Sequence, residues 1–187
     1  DVVHRSSGAA YMRAYGDHAA CTLKLSSAAK PGVGTIAWRT VSQQALERRV
    51  AAIEARGLGI GWSNGDYGRG RSFRFKDPEG HLMEVYYEEQ RFEAPADERS
   101  ALKNQPQRYP ARGIGVRRID HLALLARDVA ANRTFAAEDL GFRLREQVVF
   151  DEGRKEIGSW MSPTATHHEV AYLLDLRGGE ARLHHFS

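Results

Sequence analysis

RRIDHLALLARDVAANRTFAAEDLGFRLREQVVFD, residues 117–151, holds three periodicities in succession. RRIDHLALLA (117–126) alternates apolar and polar residues, as a half-buried strand does. DVAANRTFAAEDLG (128–141) reads as a helix, with Asp128 as N-cap and Gly141 as stop. FRLREQVVFD (142–151) is a strand again, and EIGSWMS (156–162) and HHEVAYLLD (167–175) add two more. The order is β-α-β-β-β.

The same order stands earlier in the chain. GTIAWRT (34–40) reads as a strand. A helix follows, with Ser42 or Thr40 as N-cap, Leu46, Val50 and Ile53 on one face, and Gly57 as stop. GIGWSNG (59–65), SFRFKDP (72–78) and HLMEVYYE (81–88) complete it. DVVHRS, AAYMRAYG and ACTLKLS (1–6, 9–16, 20–26) read as the closing strands of a preceding module, and ARLHHFS (181–187) as the opening strand of a following one. A repeat of roughly 55–60 residues is therefore expected. The fold class is α+β: βαβββ modules paired into two domains, the first and last modules incomplete and the chain cut at both ends. The expected domains are 1–88, a linker at 89–115 with three prolines and a short helix near 97–103, and 116–187 as the start of a second domain.

Composition narrows the function classes. With 42% hydrophobic and 27% charged residues the chain reads as an ordinary soluble globular protein. It has no apolar run of membrane-spanning length. The net charge of +3 comes from arginines scattered among acids, so no nucleic-acid footprint is indicated, and RGRSFR (69–74) reads as a solvated hairpin face. The single cysteine, Cys21, excludes an internal disulfide and fits a reducing compartment, so a cytoplasmic location is expected.

The histidines carry the chemistry. His121 shares a strand face with Ala123 and Leu125, while His184 and His185 point to opposite faces, so at most one of that pair serves a given site. His121 and His185 stand at matching positions of successive modules. Curled sheets would bring the two imidazoles together, and two histidines plus one carboxylate form the facial set of non-haem Fe(II) oxygenases. A lone strand histidine is more often structural; repetition at equivalent positions is what favours ligation. His168, beside Val170, Tyr172 and Leu174 on its strand, suits a general acid or base, whereas His167 reads as a surface residue. Other patterns fail. His168-Glu169 starts an H-E-x-x-H zinc motif that Tyr172 breaks, GLGIGW (57–62) follows a helix instead of a strand, and Cys21 has no histidine partner. His81-x-x-Glu84 lacks a histidine on its module's first strand, where Thr35 stands, and reads as structural.

RFKDPEGHLMEVYYE, RRIDHLALLARDVAANRTFAAEDLGFRLREQ and HHEVAYLLDLRGGEARLHHFS together resemble the type I extradiol dioxygenases of the catechol 2,3-dioxygenase kind, in the vicinal oxygen chelate (glyoxalase/bleomycin resistance) superfamily. D-P-x-G-H-x-x-E is shared across that superfamily; D-H followed by H-[DE]-V-A and R-L-H-H is more specific. The resemblance implies His121 and His185 as Fe(II) ligands, His168 as the active-site acid–base residue and Trp160 as a wall of the substrate pocket. It implies a third ligand, a glutamate expected beyond Ser187, and does not promote Glu84 to that place. It implies a catechol-type substrate, O2 as co-substrate, a 2-hydroxymuconate semialdehyde-type product and a homo-oligomeric intact enzyme, with no nucleic-acid or membrane partner. The 187 residues alone are expected to show no ring cleavage. A glyoxalase-like metal-dependent isomerase and a non-catalytic aromatic-binding protein on the same modules are the alternatives.

Overall fold

Local signals set the two helices. Ser42 caps α1 (Gln43–Ala55) by accepting a hydrogen bond from Ala45 N at 3.1 Å, so Ser42 and not Thr40 is the N-cap. Asp128 caps α2 (Val129–Glu138) in the same way, accepting from Ala131 N at 2.8 Å. Gly57 and Gly141 lie just past the helix ends at φ of +70° and +77°, a backbone region that glycine enters without strain. The computed structural model describes residues 1–152 and 154–187.

The strands follow the expected order with tighter ends: β1 (Val2–Ser6), β2 (Ala9–Met12), β3 (Leu23–Ser26), β4 (Ile36–Arg39), β5 (Gly59–Ser63), β6 (Ser72–Lys76), β7 (Leu82–Tyr86), β8 (Leu122–Ala126), β9 (Arg143–Phe150), β10 (Lys155–Ser162), β11 (Val170–Leu174) and β12 (Arg182–Phe186). Two expectations are corrected. Residues 97–103 form turns and bends, not a helix; the Ser100 hydroxyl bonds Gln105 and the Leu102 amide, a local alternative to helical pairing. β11 begins at Val170, so His168 lies in the preceding loop and not on the strand beside Val170 and Tyr172.

The repeat is visible in the topology. The second module forms a four-stranded sheet ordered β4-β7-β6-β5, with β4 parallel to β7 and the other pairs antiparallel. The third module repeats it as β8-β11-β10-β9, with β8 parallel to β11, and β12 adds antiparallel to the outer edge of β8. The architecture is α+β on repeated βαβββ modules.

Packing divides the chain into two compact units. One comprises residues 1–31, 64–71 and 88–119; the other 32–63, 72–87 and 120–187. In the first, β1-β2-β3 form a sheet, Tyr11 donates to Asp66 Oδ1 at 2.8 Å, and the buried Arg13 guanidinium lies 3.6 Å from the Phe92 ring centre. In the second, both modules share one core. Leu46, Val50 and Ile53 of α1 lie with Phe73, Phe75, Met83 and Val85 in the same cluster as Leu124, Phe135, Met161, Val170 and Tyr172. Phe75 meets Phe135, and Trp38 stands edge-on to Phe142 at 5.0 Å between centroids. The second module therefore packs with the third, whereas the expected boundaries at 88 and 116 divide the chain by module order.

Candidate metal centre

The site lies where two modules open. β12 runs antiparallel to β8, with His185 opposite Ala123 and Arg182 opposite Leu125. A bulge between Leu183 and His185 shifts the register by one residue. Because side chains alternate along a strand, that shift turns His185 onto the face that carries His121 and Ala123. His121 Nε2 then lies 3.1 Å from His185 Nε2. Ser187 closes the ladder, donating to His121 O at 3.0 Å and accepting from Asp120 N at 2.6 Å.

This spacing fits a shared metal ion. Two imidazole nitrogens each about 2.1 Å from one ion and about 90° apart are about 3.0 Å from one another. Asp120 Oδ2 accepts from His121 Nδ1 at 3.1 Å, which leaves the Nε2 lone pair free for ligation. At His185, Nδ1 contacts His184 Nδ1 at 2.7 Å, so Nε2 is again the atom turned to the partner imidazole. No group of three or more histidine, cysteine, aspartate or glutamate residues suited to a metal occurs among the described residues.

His168 joins the pair, its ring centroid 4.5 Å from that of His121. The loop that presents it is tied down by Glu169, whose carboxylate accepts from Ser162 Oγ at 2.9 Å and Thr164 Oγ1 at 3.0 Å. Desolvation, then the neighbouring His121 and His167, push the His168 imidazole below the usual histidine range, favouring the neutral ring near pH 7. Its Nδ1 meets His167 Nδ1 at 2.7 Å, leaving Nε2 for another partner.

Trp160 stands away from His185 on the sheet. It pairs with Ala171, Ala171 with Ala123, and Ala123 with His185, so Trp160 and His185 end one row three strands apart, about 14 Å. The two alanines between them keep the sheet surface low. His81 and Glu84 do not meet either: His81 pairs with Asp77, and buried Glu84 accepts from Ser72 Oγ at 2.9 Å. Two supporting acids, Asp120 and Glu169, stand in the D-H and H-[DE]-V-A motifs, which assign them no role of their own. Their place directly before or after a candidate histidine is the signal that could have given them one.

Residues 118–187 match the family model described as Glyoxalase/Bleomycin resistance protein/Dioxygenase superfamily. The chain is 40% identical over 185 residues to a metapyrocatechase of Geobacillus stearothermophilus, covering 99% of this chain and 56% of that protein. It is 33% identical over 187 residues to a manganese-dependent 2,3-dihydroxybiphenyl 1,2-dioxygenase of Geobacillus genomosp. 3, covering 99% and 59%. The chain thus spans between half and two-thirds of the length of these relatives. Among solved structures it resembles the 2,3-dioxygenase LapB of Pseudomonas sp. KL28, with TM-score 0.83 at 22% identity over 99% of this chain and 64% of that one. It also resembles homoprotocatechuate 2,3-dioxygenase of Brevibacterium fuscum, with TM-score 0.82 at 24% identity over 100% and 55%. No helix among the described residues is long and apolar enough to cross a membrane. Residues 118–187 are thus similar to the glyoxalase/bleomycin resistance protein/dioxygenase superfamily, and the chain shares the fold of these two solved dioxygenase structures.

Proposed function

We propose that these residues belong to an extradiol ring-cleaving dioxygenase, which inserts both atoms of O2 into a catechol beside its diol. The observation that carries the reading is the 3.1 Å approach of His121 Nε2 to His185 Nε2 across strands that open successive modules. His121 and His185 are the proposed ligands, and a carboxylate from outside these residues is the proposed third. The proposed ion is Fe(II), with Mn(II) as the alternative suggested by the name of one relative. A divalent ion at that position supplies a common centre where the diol and O2 are activated together.

The chain's own residues supply orientation and proton handling. Asp120 fixes the His121 tautomer. His168, neutral and with Nε2 free of His167, would take the proton from a substrate hydroxyl and return it as the ring opens. The low row at Ala123 and Ala171 leaves room for a planar ring, and Trp160 closes the far end as a pocket wall. Both oxygen atoms end in the hydroxymuconic semialdehyde-type product, so no external reductant is required.

The test is anaerobic loading of the natural full-length protein with Fe(II) or Mn(II), followed by O2 uptake and appearance of the yellow product with a panel of catechols. One O2 consumed per catechol, lost in His185→Ala, supports the reading. Metal binding at the pair without O2 consumption on any catechol would overturn it in favour of a glyoxalase-like isomerase.

A further inference from the structure

The sequence DPEGH (77–81) closes the turn between β6 and β7, and the proposed chemistry does not use it. Asp77 Oδ1 accepts from Gly80 N and His81 N, each at 2.8 Å, and Oδ2 takes His81 Nδ1 at 2.8 Å and Tyr172 Oη at 3.2 Å. On its other side His81 Nε2 lies 3.2 Å from the carbonyl oxygen of Arg182, the first residue of β12. The side chains of Asp77 and His81 are both fully buried.

Both ring nitrogens of His81 thus face oxygens that only accept. A neutral imidazole has one N–H and would set a lone pair against one of them; the imidazolium satisfies both. The groups facing the ring agree. Asp77 is in contact, and Glu79 on the same turn is paired with Arg127 at 2.8 Å. β11 presents the Tyr172 hydroxyl, itself donating to Asp77, and the Arg182 guanidinium is drawn off to Asp175 at 2.6 Å. Burial opposes the charge, but the Asp77 hydrogen bond and its field outweigh it and raise the pKa of the ring.

The consequence falls on β12. That strand sits at the sheet edge with β8 as its strand neighbour, and its bulge is what turns His185 toward His121. A one-residue slip would send His185 to the opposite face. We propose that His81 is a positioning residue, a buried imidazolium latch from the β6–β7 turn to the start of β12 that pins the bulged register and holds His185 opposite His121. The latch acts on the metal pair proposed above and rests on that reading for its functional effect.

The experiment uses the full-length protein, first metal-free and then titrated with Co(II) alone. Nitrogen-15 spectra of the histidine rings should show His81 protonated at both nitrogens near pH 7. In His81→Asn, which keeps a donor toward Asp77 and loses reach to Arg182, the amides of β12 and Ser187 should exchange about tenfold faster than in the parent. Co(II) affinity should fall about tenfold. In His81→Gln, whose amide nitrogen can reach the Arg182 carbonyl, both should recover in part. A singly protonated His81 ring in the parent overturns the latch even if no variant folds. So does His81→Asn with β12 exchange and Co(II) affinity at parental values. If instead His121→Ala and His185→Ala bind Co(II) like the parent, the metal pair fails as a reading, while ring protonation and β12 exchange still decide the latch.

Discussion

At the scale of single residues, the centre depends on which nitrogen of each imidazole holds the lone pair. Asp120 accepts from His121 Nδ1 and so leaves the Nε2 lone pair for the proposed metal. Asp120→Asn keeps the size but removes the charge that makes the imidazole a better donor. A loss of about 10–100-fold in Co(II) or Mn(II) affinity is expected by equilibrium dialysis, with the fold unchanged by circular dichroism. His185→Ala removes a proposed ligand outright, and binding at this site should fall below detection in the same assay. Glu169 acts on His168 without touching it. Its carboxylate gathers Ser162 and Thr164, and these bonds hold the loop ahead of β11.

At the scale of elements, the helix caps and the edge strand answer to different forces. Ser42 satisfies an otherwise orphaned donor at the start of α1, so Ser42→Ala should cost about 1 kcal/mol in urea denaturation. Gly141 has two reasons to be glycine. Its φ is +77°, and the space a Cβ would take is filled by the Arg49 guanidinium, which also donates to Asp139 O at 3.1 Å. Gly141→Ala should therefore destabilise by about 1 kcal/mol or more by the same method. β9 has every residue exposed despite its length, so it is held by backbone pairing to β10 more than by burial.

At the scale of the folded unit, the second and third modules stand or fall together, because Phe135 of α2 lies in one cluster with Ile53 of α1 and Phe75 of β6. Phe135→Ala should cost about 3–5 kcal/mol and lower the unfolding transition of both modules at once, as probes on α1 and on β11 would report. The buried Asp77–His81 pair gives this unit a pH dependence of known sign. Burial opposes the charge on His81 and Asp77 favours it more, so the folded pKa lies above the unfolded value of about 6.5. Its stabilisation is fully present below about pH 6.5 and is lost as pH rises through the folded value. The stability gap between the parent and His81→Asn should accordingly narrow from pH 6 towards pH 9, read from urea midpoints.

The local order of the chain determined much of this by itself. The alternation of RRIDHLALLA, the caps Ser42 and Asp128 and the stops Gly57 and Gly141 encode two βαβββ modules, since each is a property of neighbouring residues. The matching positions of His121 and His185 were legible for the same reason: a repeat carries its register with it. Tertiary structure decided the rest. Alternation alone assigned His168 to the strand face of Val170 and Tyr172. The observed strand starts at Val170, and His168 lies in the loop before it, beside His121. The bulge in β12 and the reach of His81 to Arg182 depend on residues about sixty and a hundred positions apart meeting in one core, which no local pattern records. For the same reason the second module was grouped with the first by order along the chain, whereas shared apolar burial packs it with the third.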